Sequence, residues 1–280
     1  MSIAQDFVKI IEKIEDRIKI PLIKEIFVPN PSSLHEGGKH NFGAFILEDN
    51  TIGLVFLSLN KSIEQIGKKL NLNEYIGQDP IIIAKNFISA NEFKKTLALG
   101  AINSICQFIF KKVNFEFDYT TDSMGLLNLS KGDKIGMVGF FPPLVRQIEN
   151  LDLSLTVIER KKKFIQKHEK WEVTLNPKKL LECNKILCTS TTVLNDSVDD
   201  ILLYTKNAQK ISMIGPTAGF FPDPLFKRRI DVLGGTYVSN PQLFINLIQK
   251  GKKWSSSTRK YCIQKEKYQG FDLLLQKLSH

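Results

Sequence analysis

Three short stretches carry the residue types and spacings best suited to chemistry. They are Gly136 to Pro142 (G-M-V-G-F-F-P), 188–197 (C-T-S-T-T-V-L-N-D-S) and 214–224 (I-G-P-T-A-G-F-F-P-D-P). Each follows an apolar run and is rich in glycine or hydroxyl side chains. A small-residue turn between a buried strand and a helix can aim backbone N–H groups at an anion. The expected ligand contacts are Gly136, Gly139 and Phe140 in the first turn, and Thr189, Thr191, Thr192 and Asn195 in the second. Gly215, Pro216 and Thr217 supply them in the third. Thr191 or Thr192 could equally be a plain helix cap. The first turn has two glycines three apart, which falls short of the dinucleotide fingerprint. Glu159 stands twenty residues after Gly139, at the end of L-T-V-I-E, where doubly wound folds bind ribose hydroxyls. The competing reading is a solvated strand end beside Arg160. No side chain of the first turn can serve as acid, base or nucleophile. Any reactive group must therefore come from Glu159, Asp196, the loop at 35–40, or the ligand.

That loop holds the best sequence-level metal set, His35, Glu36 and His40. Three such ligands within six residues suit a divalent heavy metal, although an ordinary surface loop has the same composition. No H-E-x-x-H motif, Ser–His–Asp order or P-loop is present. The four cysteines, Cys106, Cys183, Cys188 and Cys262, form no C-x-x-C pair, so buried structural thiols are expected.

The elements that must position these turns follow from periodicity. Apolar residues three and four apart predict a helix over 3–19, with Ser2 as its cap, and a long helix over 91–111. Strands are expected at 23–28, 42–47 and 52–59, the last two as an antiparallel hairpin. Residues 62–70 have a helical pattern and 80–84 read as extended. After residue 133 strands at 135–139, 155–159, 185–189, 210–215 and 231–238 alternate with helices at 143–150, 193–204 and 240–249. Such alternation predicts βαβ units and a parallel sheet, with 261–265 as an edge strand. The fold class is α/β, with a smaller α+β domain over 1–112, a linker or crossover at 113–133, and the parallel-sheet domain from 134 to 280.

The chain has 280 residues, 42% of them hydrophobic, and a formal net charge of +10. That composition supports a substantial core and argues against disorder. Its basic runs are scattered and lack interleaved aromatics, so nucleic acid is not the expected partner. No apolar run is long enough for a membrane helix, and the amphipathic start lacks signal-peptide features. A cytoplasmic protein is expected. The sequence sets no oligomeric state, and a homodimer is open.

From residue 130 onward the chain resembles a bacterial and archaeal family described as putative heavy-metal chelation proteins. The likeness rests on I-G-M-V-G-F-F-P at 135–142, L-T-V-I-E at 155–159 and C-T-S-T-T-V-L-N-D-S at 188–197. M-I-G-P-T-A-G-F-F-P at 213–222 and D-V-L-G-G-T-Y-V at 231–238 complete it. The resemblance implies a Rossmann-like C-terminal domain, an N-terminal domain like the capping domain of enolases, and a ligand crevice between them. The N-terminal part of the likeness is G-A-F-I-L-E at 43–48, I-G-L-V at 52–55 and the helix around Leu97–Ile109. Three functions follow as expectations. The first is binding of a small anionic ligand, such as a metal chelate, in the crevice. The second is an enzyme with a nucleoside-containing cofactor held by Glu159. The third is a non-catalytic interaction protein whose turns are structural.

Overall fold

Ser2 starts the first helix, α1 (Ile3–Glu15), through a capping box. Its hydroxyl accepts from Gln5 N–H, and the Gln5 side chain accepts from Ser2 N–H. The apolar stripe of α1 lies buried. The computed structural model describes residues 1–29, 41–57, 72–119 and 124–279. His35, Glu36, His40 and the helical pattern at 62–70 lie outside them. Strands β1 (Ile23–Phe27), β2 (Phe42–Leu47) and β3 (Ile52–Phe56) form an antiparallel sheet in that order. Residues 80–84 are not extended. They form a short helix, α2 (Pro80–Ala84), because Asp79 accepts from Ile81 N–H and Pro80 takes a first-turn position. The long helix α3 (Glu92–Lys112), capped by Asn91, crosses the sheet. Gly53 and Gly100 let the backbones of β3 and α3 approach closely, with Phe45 packed on Gly100.

The second sheet has eight strands in the order β11-β10-β9-β8-β4-β5-β7-β6. These are β4 (Lys134–Val138), β5 (Ser154–Ile158), β6 (Gln166–Lys167), β7 (Trp171–Thr174) and β8 (Lys185–Thr189). They continue with β9 (Lys210–Ile214), β10 (Val232–Val238) and β11 (Thr258–Gln264). All neighbouring pairs from β10 to β7 are parallel, and the edge strands β11 and β6 are antiparallel. From β4 the chain moves outward through β5 to β7, then returns to β8 on the other side of β4 and continues outward to β10. The order reverses between β4 and β8. In open α/β sheets that reversal makes a crevice outside the carboxyl ends of the two strands.

The helix expected over 193–204 is broken in two. Single-turn α5 (Thr191–Leu194) ends at Asn195, Asp196 follows with φ 57°, and α6 (Val198–Leu202) restarts the winding. Helices α4 (Pro142–Asn150), α7 (Asp223–Phe226), α8 (Pro241–Gln249) and α9 (Phe271–Gln276) complete the set used below. Among the described residues no helix is long and apolar enough to cross a membrane. One hydrophobic cluster runs from Ile3 and Phe7 through Ile102 and Phe110 to Phe220, Phe221 and Leu274. This cluster joins the surroundings of the two sheets, and two smaller clusters lie beside it.

Candidate functional site

The three turns meet at the reversal point. Gly139 follows β4 with φ 92°, and a β-carbon there would lie 3.1 Å from the Thr189 methyl group at the end of β8. Gly215 follows β9 with φ 148°, and a β-carbon would strike the Ser190 hydroxyl. Both positions need glycine, because L side chains rarely adopt those angles and the space is already filled. Turn one therefore touches turn two, and turn two touches turn three.

The polar groups at this meeting place fall into two sets. Most backbone donors serve the fold. Gly139 N–H donates to Ile158 O, Ser190 N–H to Ile214 O, and Gly215 N–H to Gly234 O. Phe140 N–H donates to Glu159 Oε2 at 3.2 Å, while Glu159 Oε1 accepts from Arg160 and Lys161 N–H. The open N–H cradle expected from the glycines is thus closed by strand-to-strand bonds. Glu159 holds the first turn, and a ribose diol would have to share its remaining lone pairs. The second set is the threonine pair. Thr189 Oγ1 accepts from Thr191 N–H and donates to Thr191 Oγ1 at 3.1 Å. That leaves the Thr191 hydroxyl a proton to give. Both side chains are half-buried, as are Gly139, Phe140, Gly215 and Pro216.

Other expected contacts lie elsewhere. Gly136 sits in mid-β4, buried against Leu180 and Ile186, so its role is packing. Thr192 is buried and gives its hydroxyl to Thr189 O at 2.7 Å. The cap residue of α5 is Ser190, neither Thr191 nor Thr192. Asn195 accepts from Ser197 N–H and hydroxyl, which turns the chain between α5 and α6. Thr217 is 1% exposed. Its hydroxyl accepts Phe56 N–H at 3.0 Å, and its carbonyl accepts from Asn103 Nδ2 at 2.8 Å. It ties the third turn to β3 and α3.

Two groups on α3 were missed by sequence reasoning. Asn103 and Gln107 are buried amides that hold the Thr217 and Gly219 carbonyls. Their signal was two polar residues one turn apart inside an otherwise apolar face. Lys95, 6% exposed, pairs with Asp196 and lies 5.1 Å above the Phe87 ring. A lysine in a buried stripe is the corresponding clue.

Among the described residues no group of three or more His, Cys, Asp or Glu is placed to hold a metal ion. All four cysteines are buried and free. Burial pushes the Cys183 and Cys188 thiols each up to about 11, and Cys106 higher still. Protonated thiols are poor metal ligands.

A family model described as putative heavy-metal chelation matches residues 122–267. An uncharacterized protein of Methanocaldococcus jannaschii is 26% identical over 211 residues, covering 71% of this chain and 75% of that protein. A solved DUF364-family structure from Pyrococcus horikoshii, of unknown function, superposes with a TM-score of 0.71. Its identity is 19%, over 94% of this chain and 100% of that one. A second DUF364-family structure, from Desulfitobacterium hafniense, gives 0.66 at 20% identity over 93% and 98%. At these identities the two structures show a shared fold over nearly the whole length.

Proposed function

The chain belongs to the DUF364 family, described as putative heavy-metal chelation, and on that premise we propose that it binds a small anionic metal chelate at the β4–β8 reversal point. The observation that carries this reading is that the first turn packs on Thr189 and the third on neighbouring Ser190, so both flank the second turn, where Thr189 and Thr191 form a hydroxyl pair. Ligands of open α/β sheets settle at such a point. The Thr191 hydroxyl would donate to a carboxylate or phosphate of the chelator. Gly139 and Gly215 keep the walls free of side chains, and Phe140 and Pro216 supply apolar edges. The net charge of +10 favours approach of an anion.

The metal would arrive already held by its chelator, since the buried, protonated thiols offer no thiolate. The set His35, Glu36 and His40 remains the chain's own candidate for a direct metal contact. Calorimetric titration separates these roles. Nickel(II) alone, citrate alone and nickel(II)–citrate are each added to the intact protein. The chelate should bind, and Thr191→Val should weaken it about tenfold through loss of one hydrogen bond to a charged group. Equal binding by wild type and Thr191→Val would sink the crevice assignment. Binding of nickel(II) alone that disappears in His35→Ala/His40→Ala would move the metal to that loop.

A further inference from the structure

The outer edge of the large sheet carries a feature that shares only Phe140 with the crevice. Four rings from three separate segments form a row. Phe164 lies 5.6 Å from Phe140, Phe140 lies 6.4 Å from Trp171, and His168 stacks on Trp171 at 3.9 Å with an interplanar angle of 16°. Trp171 is fixed by its indole N–H, which donates to Glu149 Oε1 at 3.0 Å. The row runs beside the terminal strand β6, and its His168 end is exposed. Arg160 and the lysines at 161–163 and 167 are all exposed along the same segment. Lys163 lies over the Phe164 ring at 5.2 Å. In sequence the basic run looked isolated, because two of the rings enter from the first turn and from β7.

We infer that this edge binds single-stranded nucleic acid, with bases stacking on the ring row and phosphates meeting the basic segment. Aromatic faces accept any base and cations track the backbone, which is the physical pattern of sequence-tolerant single-strand binding. A duplex hides its base faces and should gain only from charge. Phe140, Phe164 and Trp171 are half-buried against the core and anchor the row, and His168 at its exposed end offers the outermost ring face to a base. An anionic membrane is the rival polyanion, because Ile165 beside Phe164 is 53% exposed. The inference shares Phe140 with the crevice, and its tests use His168, Lys161 and Lys162, which the crevice does not include.

The test is a fluorescence titration of the full chain with an oligouridylate of about 12 nucleotides, within the range of single-strand site sizes. The same titration is run with its duplex, with inorganic polyphosphate of equal charge, and with phosphatidylserine vesicles. Trp171, stacked under His168, reports binding at the row, since the other tryptophan, Trp254, is buried in a separate cluster. Expected results are tryptophan quenching by the single strand and affinity about tenfold above polyphosphate. The salt slope should be about −0.7 per phosphate contacted. His168→Ala, at an exposed position, should cost about fivefold without loss of fold, and Lys161→Glu/Lys162→Glu should cost more. Equal binding of polyphosphate and oligonucleotide, preference for vesicles or duplex, or indifference to both variants would overturn the inference.

Discussion

Replacing Thr217 by valine removes a hydroxyl that accepts Phe56 N–H in an enclosed position. The stranded N–H should lower stability by about 1–3 kcal/mol. Thr217→Ser keeps the acceptor and should recover most of that. Urea unfolding of the two variants distinguishes this structural role from ligand contact, since a ligand residue could change without altering the midpoint. Gly139→Ala forces a side chain into φ 92° and against the Thr189 methyl. A loss of about 1–2 kcal/mol is expected from the backbone alone, read by the same unfolding assay. These two residues mark what could and could not be read from sequence. The need for glycine at 139 was legible from strand, turn and helix signals. The partner of Thr217 was not, because Phe56 lies more than 150 residues away and nothing local encodes that contact.

At the scale of elements, the ion pair between Lys95 on α3 and Asp196 after α5 joins the small sheet's helix to the second turn. Asp196 is 60% exposed while Lys95 is enclosed. Asp196→Ala should therefore strand a buried cation and cost about 2 kcal/mol or more. Lys95→Met keeps the apolar stem and removes the charge, so it should cost less. The reverse order in denaturant midpoints would contradict this account of the pair. Asp133 ties the starts of β4 and β8 together. It accepts from Ser130 N–H and from Asn184 Nδ2, both at 2.8 Å. Burial opposes its charge, but these hydrogen bonds and nearby Lys185 hold its pKa below the usual carboxylate value. Its contribution is complete above that usual value and is lost as pH falls through the depressed one. Asp133→Asn should flatten the acid limb of a stability–pH profile. The apolar runs of the parallel strands were legible because buried strands read as short continuous hydrophobic segments. The hairpin of β6 and β7 was not, since Gln166 to Thr174 mixes charges with only Trp171 and Val173 as apolar markers. The run of isoleucines at 81–83 suggested a strand, and the outweighing signal was Asp79–Pro80 as a helix start. Strand order, and with it the reversal point, depends on long-range pairing that periodicity does not carry.

At the scale of the molecule, the shared core and the clamps through Asn103, Gln107 and Thr217 should make the two sheets unfold together. Calorimetry should give one transition with equal calorimetric and van't Hoff enthalpies, and two separated transitions would show independent domains. The same clamps fix the third turn against α3, so a ligand at the β4–β8 reversal point would meet a turn already held in place. On the proposed reading, the Thr191 hydroxyl receives an anionic metal chelate at this point. The most direct measurement is the affinity of nickel(II)–citrate for wild type, Thr191→Val and Thr191→Ser. Affinity should fall about tenfold in the valine variant and recover almost completely in the serine variant. Identical affinity in all three proteins would contradict that reading.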